Sequence, residues 1–282
     1  EVADASDDDI WFKFTATTSY VKVQLKTGAP EGTLQYPYVA LWATNGTTEL
    51  ASMNRNGQYT DLELDYLGLT PGTVYYISVD NLTGAGYRGT FKLCLNQTVD
   101  YNFYEGATDV TTYINGCSPD AAFSTVYASA DKNKGSTWDS GPNYNRWFKF
   151  TATTNYMKVQ LNTGAPEGTL QYPYLALWAA NGTTEIASMN RNGQYTDLEV
   201  DYYGLTPGNT YYVSVDNLTG TGYRGTFKLC LSDVPDYNFY EGATDISSLI
   251  NNCSAAGAYT TNNATADRTK GSAWDSGPNY AR

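Results

Sequence analysis

The chain has 282 residues, of which 16% are charged, 15% are aromatic and none is histidine, which excludes Ser-His-Asp and Cys-His catalysis and histidine-ligated zinc. Its 17 basic and 29 acidic residues give a net charge of -12, which would repel nucleic acid and anionic membranes. We therefore expect no nucleic-acid partner and, since no run of 18 apolar residues occurs, no membrane insertion of this segment.

The first residues, EVADASDDDI, contain neither the positive nor the apolar part of a secretion signal, and we expect the chain to be a processed piece of a longer protein. A repeat follows them. The stretch WFKFTATT at Trp11 recurs at Trp147, 136 residues later, and the match continues until Arg282 aligns with Arg146. Such self-similarity indicates an array of domains. Near-identical tandem copies are more typical of long surface proteins than of enzymes.

Each copy contains short segments in which apolar and polar residues alternate; in the second copy these are YMKVQLNT, LEVDY, YYVSVDN and GTFKLCL. In the first of them Met157, Val159 and Leu161 share one face, which is the pattern of a half-buried strand. Turn sequences such as NTGAPEG and NRNGQ separate the segments. We predict an all-β fold of tandem antiparallel β-sandwich, jelly-roll-like domains in two near-identical 136-residue periods.

The strand GTFKLCL is expected to close each copy, because the stretch after it, SDVPDYNFYEGATD, is typical of a linker. We predict a first sandwich over residues 1–98 that lacks its opening segment, a complete sandwich over 99–232, and the start of a further repeat over 233–282. The chain is then a window on a longer array.

Loop carboxylates and amides are candidate calcium ligands, since calcium takes oxygen ligands. A site present in both copies should use residues present in both. This criterion favours Asp80 with Asn81 and Asp216 with Asn217, at the ends of the YYISVDN and YYVSVDN strands.

The loop WDSGPNY combines aromatic rings with Asp and Asn, as sugar-binding sites do. Its candidate ligand-binding residues are Trp138 and Tyr144, repeated as Trp274 and Tyr280. The alternative is that these rings pack at strand edges and between neighbouring domains. The paired acids Glu63 and Asp65 lie on the polar face of one strand, and we interpret them as solvated surface rather than a glycosidase pair.

The four cysteines occur in two equally spaced contexts without a CxxC or Cys/His cluster, which fits disulfides outside the cytoplasm better than a metal site. Two pairings are open. Cys94 with Cys117, and Cys230 with Cys253, would each join residues 23 apart. Cys117 with Cys230 would instead join residues 113 apart and leave the other two to partners elsewhere.

The strings DDDIWFKFTATT, VALWATNGTTELAS, GLTPGTVYYISVDN and GTFKLCL resemble the bacterial pre-peptidase C-terminal type of β-sandwich, which occurs in tandem in giant type 9-secreted surface proteins of Bacteroidota, including the gliding-adhesin type. The resemblance covers essentially the whole period. It implies a secreted or cell-surface protein with a spacer, adhesive or substrate-targeting role and often calcium. In that family the first and last strands lie side by side, which favours the pairing of Cys117 with Cys230.

We interpret the chain as a non-enzymatic, extracellular tandem-repeat segment of a bacterial surface adhesin, stalk or filament. Its expected partners are neighbouring repeats of the same chain, with surface glycans or other surface proteins as further ones. The alternative is a carbohydrate-binding accessory array of a secreted enzyme.

Overall fold

The computed structural model describes residues 9–54, 57–190, 193–235, 237–261, 264, 266–267 and 271–277. The chain divides into two compact units, unit 1 over residues 1–106 and unit 2 over residues 107–282. The predicted β-sandwich fold is confirmed: the regular elements of the described residues are strands and three-residue 3-10 turns. Within these residues no helix is long and apolar enough to cross a membrane.

Unit 1 is built from two antiparallel sheets, with strand orders β1-β6-β3-β4 and β5-β2-β7. Alternation places Val23 and Leu25 of β2 in the core, where they are buried with Leu41 and Ile77 of the opposite sheet. The strands are β1 Ile10–Thr15, β2 Tyr20–Lys26, β3 Pro37–Trp42, β4 Glu49–Asn54, β5 Leu62–Leu67, β6 Val74–Asn81 and β7 Lys92–Asn96.

Unit 2 repeats these seven strands as β11 to β17, with the same register. Trp147 of β11 lies opposite Ser214 of β16, as Trp11 lies opposite Ser78 in unit 1. The repeated strands are β11 Arg146–Thr151, β12 Tyr156–Asn162, β13 Pro173–Trp178, β14 Glu185–Asn190, β15 Leu198–Tyr203, β16 Thr210–Asn217 and β17 Thr226–Ser232.

Unit 2 also contains a segment that wraps around the sandwich before β11, and we name residues 107–145 the strap. Its short strands are β8 Thr108–Asp109, β9 Gly116–Cys117 and β10 Phe123–Ser124. β8 and β10 extend the two sheets to β14-β13-β16-β11-β8 and β10-β17-β12-β15. β8 runs parallel to β11, a departure from the purely antiparallel expectation, because it lies in a connecting segment rather than in a hairpin. The division into residues 1–98, 99–232 and 233–282 stays a prediction.

Candidate functional site

The first half of the strap fills the edges of both sheets in unit 2. On one sheet the Val110 N–H donates to the Lys149 carbonyl at 2.8 Å, and the Thr151 N–H donates to Thr111 Oγ1 at 3.0 Å. The Val110 side chain is buried. Backbone N–H and C=O groups that β11 would otherwise expose at the sheet edge are therefore hydrogen-bonded, as burial of a strand requires.

On the other sheet the strap is bonded to β17. The Asn115 and Ser118 N–H groups donate to the carbonyls of Leu231 and Leu229, each at 2.8 Å. A disulfide between Cys117 and Cys230 lies between these two hydrogen bonds. Of the two pairings left open by the sequence, the structure contains the one within a single sandwich.

The middle of the strap closes the space between the two sheets. The Phe123 ring packs edge-on against Phe148, with centroids 4.7 Å apart, and contacts Phe227. Arg146, which is buried, donates its Nε to the Ser124 carbonyl and its Nη2 to the Val126 carbonyl, both at 2.7 Å. Apolar packing and charge-assisted hydrogen bonds together fix the strap on the sandwich.

Trp138 belongs to this packing. It is buried, its ring stacks on Tyr174 with a centroid distance of 5.3 Å, and its Nε1 donates to the Leu175 carbonyl at 3.2 Å. The packing alternative therefore describes Trp138, and the ring offers no open face for a sugar. Its counterpart Trp274 is half exposed, and Tyr280 lies outside the described residues.

Tyr144 and Asp216 meet at the end of the strap. The Tyr144 N–H donates to Asp216 Oδ1 at 2.6 Å and the Asn143 N–H to Oδ2 at 2.7 Å, while Oδ1 also accepts the Asn217 N–H at 2.7 Å. The guanidinium of Arg224 lies 3.9 Å from the centre of the Tyr144 ring, within cation–π range. Asp216 is thus an acceptor that holds the strap in place.

Burial raises the pKa of Asp216 to about 6, although the three N–H donors act in the opposite direction. These three donors occupy part of the acceptor capacity of the carboxylate, so in this structure Asp216 serves as a hydrogen-bond acceptor for the strap. In unit 1 the Asn81 N–H similarly donates to Asp80 Oδ1 at 2.7 Å. Calcium binding by the chain stays a prediction for titration.

A cluster of partly buried acids lies on the outer face of unit 1, and it contains Glu63 and Asp65, which the sequence indicated as solvated surface. Carboxylate oxygens of Glu63, Asp65 and Asp100 fall within 4.8 Å of one another. Lys22 Nζ lies 2.9 Å from Glu63 and also contacts Asp100. Because the ammonium group of Lys22 already offsets part of the negative charge and is bonded to two of the three acids, we interpret the cluster as an ion-pair network rather than a metal site.

The network ties the chain that follows β7 to the sheet. Tyr20 Oη donates to Asp65 Oδ1 at 2.5 Å, and Asn102 Nδ2 donates to Oδ2 at 3.0 Å. Burial raises the pKa of Asp65 to about 6, which Lys22 and Tyr20 oppose. Lys22 lies opposite Asp65 across β2 and β5, a register that the structure shows and the sequence alone does not.

Tyrosines in left-handed backbone conformation recur in the loops at one end of each sandwich. Tyr59 and Tyr195 have φ values of 54° and 53°, and both side chains are half exposed. Tyr36 (φ 48°) packs against Tyr87 with ring centroids 4.9 Å apart. Bulky residues seldom adopt this conformation, and such backbone strain is concentrated at functional sites. The sequence shows NGQY in both copies, but does not show its backbone conformation.

No protein-family model matches the chain, and a search of curated proteins finds no match. Solved structures with a similar arrangement include the CBM22 tandem of Xyn10C from Paenibacillus barcinonensis, at 12% identity and a TM-score of 0.21, covering 77% of this chain and 79% of that one. The tandem CBM51 modules of a family 98 glycoside hydrolase from Streptococcus pneumoniae share 9% identity at a TM-score of 0.21, covering 78% and 80%. PNGase F from Flavobacterium meningosepticum shares 11% identity at a TM-score of 0.23, covering 82% of this chain and 92% of that one. Likenesses of this size carry no conclusion about function.

Proposed function

We propose that the chain is a non-enzymatic, load-bearing segment of an extracellular bacterial stalk, filament or adhesin. The observation that carries the proposal is the disulfide between Cys117 and Cys230. The first of these residues lies in the strap and the second in β17, the last strand of the repeat, at a sequence separation of 113. All of the repeated strands β11 to β16 therefore lie inside one covalent ring.

Tension along the chain would pass from Cys117 to Cys230 through the S–S bond and bypass the sandwich. Without the bond, the chain between Cys117 and Cys230 could be stretched by roughly 370 to 410 Å under tension. With it, unit 2 keeps its length even if its hydrogen bonds break. This property of unit 2 suits a stalk segment whose disulfide-closed repeats limit how far it lengthens under force.

The disulfide also supports an extracellular location, since such bonds persist in oxidising compartments. A ring of this size is expected to stabilise the folded state by about 2 to 4 kcal/mol, by restricting the unfolded chain. Neighbouring repeats are the first partners in this proposal. The strap of unit 2 follows directly on unit 1 in the sequence.

Single-molecule stretching tests the proposal. The oxidised chain should show one long unfolding event, from unit 1, which contains no disulfide within its described residues. After reduction, a second event with a further roughly 370 to 410 Å of extension should appear. Unit 1 serves as the internal control. Two long events in the oxidised chain would contradict the load-bearing role.

A carbohydrate-binding accessory array is the second candidate, and the strained, half-exposed Tyr59 and Tyr195 favour it. Sugar rings stack on exposed aromatic faces. A glycan array with the parent chain and the double variant Tyr59→Ala, Tyr195→Ala tests it. Binding by the parent that the double variant loses would support this function. Equal signals from the two proteins would show that these tyrosines do not bind the glycan.

A further inference from the structure

Each of the two units has the same three loops at one end of its sandwich. The connections β2–β3, β4–β5 and β6–β7 meet at this end of unit 1, because the antiparallel register places Tyr38 at the start of β3 opposite both Asn54 and Asp80 at the ends of β4 and β6. We name the described residues of these connections the loop face. They are 27–36, 57–61 and 82–91 in unit 1, and 163–172, 193–197 and 218–225 in unit 2.

Backbone hydrogen bonds hold the three loops of unit 1 to one another. The Tyr36 N–H donates to the Gly57 carbonyl at 3.2 Å, which joins the first loop to the second. The Gln35 N–H donates to the Tyr87 carbonyl at 3.0 Å, and the rings of Tyr36 and Tyr87 pack with centroids 4.9 Å apart, which joins the first loop to the third. The loop face is therefore ordered without a ligand, so binding there costs less conformational entropy.

Tyr59 lies on this ordered loop face with its ring in solvent. Its loop is held to the first loop, since Asp61 Oδ1 accepts the Thr27 N–H at 2.9 Å. The Tyr59 backbone is left-handed, and its side chain is 48% exposed. Within the described part of the chain, this ring stacks on no other aromatic ring. A bulky ring kept in solvent at a backbone position that disfavours bulky residues indicates a contact surface rather than packing.

Tyr195 repeats these features in unit 2. Its backbone is also left-handed, its side chain is also 48% exposed, and Asp197 Oδ1 accepts the Thr163 N–H at 2.9 Å. The rings of Tyr172 and Tyr223 are 4.8 Å apart, against 4.9 Å for the corresponding pair in unit 1. Unit 2 carries the strap, and Tyr195 is exposed all the same. The exposure of both tyrosines therefore comes from their own loops and not from the segments that flank each sandwich.

The side chains beside each ring favour an uncharged ligand that is rich in hydroxyl groups. Gln58 is exposed, and its backbone is fixed by a bridge to Gln35, so its amide is presented beside the ring as a donor and an acceptor. Asp61 is the one charged residue among residues 57–61, and residues 193–197 have the same sequence. A carboxylate repels an anionic ligand, whereas an aromatic ring stacks on a sugar and an amide bonds to its hydroxyl groups.

We propose that the two loop faces are equivalent and independent binding sites for short, uncharged oligosaccharides. In unit 1 a sugar stacks on Tyr59, and Gln58 bonds to its hydroxyl groups. Tyr195 and Gln194 do the same in unit 2. This proposal rests on the carbohydrate-binding candidate function and adds to it the ligand class, the polar partners and the number of sites. A single exposed ring covers the face of about one sugar unit, so a short ligand fills each site.

Calorimetric titration with defined tetrasaccharides tests the number of sites. The neutral probes are cellotetraose, xylotetraose and mannotetraose, and the anionic probe is tetragalacturonate. The parent chain should bind a neutral probe at two sites of equal affinity. Tyr59→Asn and Tyr195→Asn should each leave one site with that affinity, and the double variant should leave none. Asparagine adopts the left-handed conformation readily, so these variants remove the ring without added strain, and their melting temperatures should not fall.

Further variants separate stacking from a structural role. Replacing both tyrosines by phenylalanine keeps the rings and should keep both sites, whereas Gln58→Ala together with Gln194→Ala should weaken binding on the order of tenfold. Tyr202→Ala is the matched control, since Tyr202 is an exposed tyrosine of β15 outside the loop face, and it should bind like the parent.

Two kinds of failure can be told apart. No binding of any glycan by the parent, on the array or in titration, would contradict the carbohydrate-binding function itself. Glycan binding that persists in the double asparagine variant, that is lost in the double phenylalanine variant, or that is confined to tetragalacturonate would leave that function standing and overturn the loop-face sites. A parent with a single site, or one that binds none of the neutral tetrasaccharides, would overturn them as well.

Discussion

At the scale of single residues, Asp216 joins the end of the strap to β16. Its carboxylate accepts three backbone N–H groups and is enclosed by the strap. The sequence indicated that Asp216 ends a strand, but not that a loop 72 residues earlier in the chain would cover it. Such long-range contacts have no local signature, whereas the recurrence of the Asp-Asn pair in both copies, on which the calcium prediction rests, can be read from the sequence.

The first prediction concerns the titration of Asp216. Its pKa of about 6 in the folded protein lies above the ordinary value of ~3.9, so the folded state binds more protons between roughly pH 4 and pH 6. We expect its contribution to the free energy of unfolding to fall as pH rises through that window, by at most about 1.4 kcal/mol per unit, and to level off above it. Asp216→Asn lacks this titration. Urea unfolding should therefore show that the free energy of unfolding of the parent falls relative to that of the variant between pH 4 and pH 6. A difference in free energy that stays constant over this range would contradict the prediction.

The second prediction concerns Lys22, the cation between three carboxylates. Lys22→Met would leave those acids half-buried without their ammonium partner, and we expect it to lower the free energy of unfolding by about 2 to 4 kcal/mol. Lys26→Met is the matched control, because Lys26 makes a more exposed ion pair with Asp61 and its loss should cost under about 1 kcal/mol. Urea midpoints measure both. Equal effects would mean that the cluster contributes little.

At the scale of elements, alternation predicted the main strands because their faces differ in polarity at every second residue. YMKVQLNT became β12 and GTFKLCL became β17, with Leu229 and Leu231 buried. The strap was not predicted, since strands of two residues are too short for a period to be recognised. Its position depends on contacts with distant strands, which a single sequence does not display.

The third prediction concerns the disulfide that joins Cys117 of the strap to Cys230 of β17. Cys117→Ser should lower the free energy of unfolding of unit 2 by about 2 to 4 kcal/mol, because the unfolded chain loses a covalent ring. Cys94→Ser is the control, since no disulfide holds Cys94 in the described structure, and it should leave the melting of the monomer unchanged. Calorimetry of both variants measures the effect. A similar loss in the two variants would indicate that side-chain packing rather than the ring is responsible.

At the scale of the whole molecule, two nearly identical sequences have different surroundings. The strand GTFKLCL lies between two neighbours in unit 2, where β10 and β12 flank β17. Among the residues that the structure describes in unit 1, its counterpart β7 pairs with β2 alone. The difference comes from the strap and not from the repeated residues. Stability is therefore expected to differ between units, since an array of repeats gains part of its stability from neighbouring segments.

The last prediction uses this identity of sequence as an internal control for hydrogen exchange. Peptides that contain GTFKLCL and end in Asn96 or Ser232 have the same intrinsic exchange chemistry over their shared residues and different masses. Amides of β7 that face the open edge should exchange at least about tenfold faster than their counterparts in β17, because opening an unpaired edge requires less free energy. The central strands β3 and β13 are paired on both sides in their units and should differ much less. Equal exchange of the two GTFKLCL peptides in the monomer would show that the edge of unit 1 is already covered.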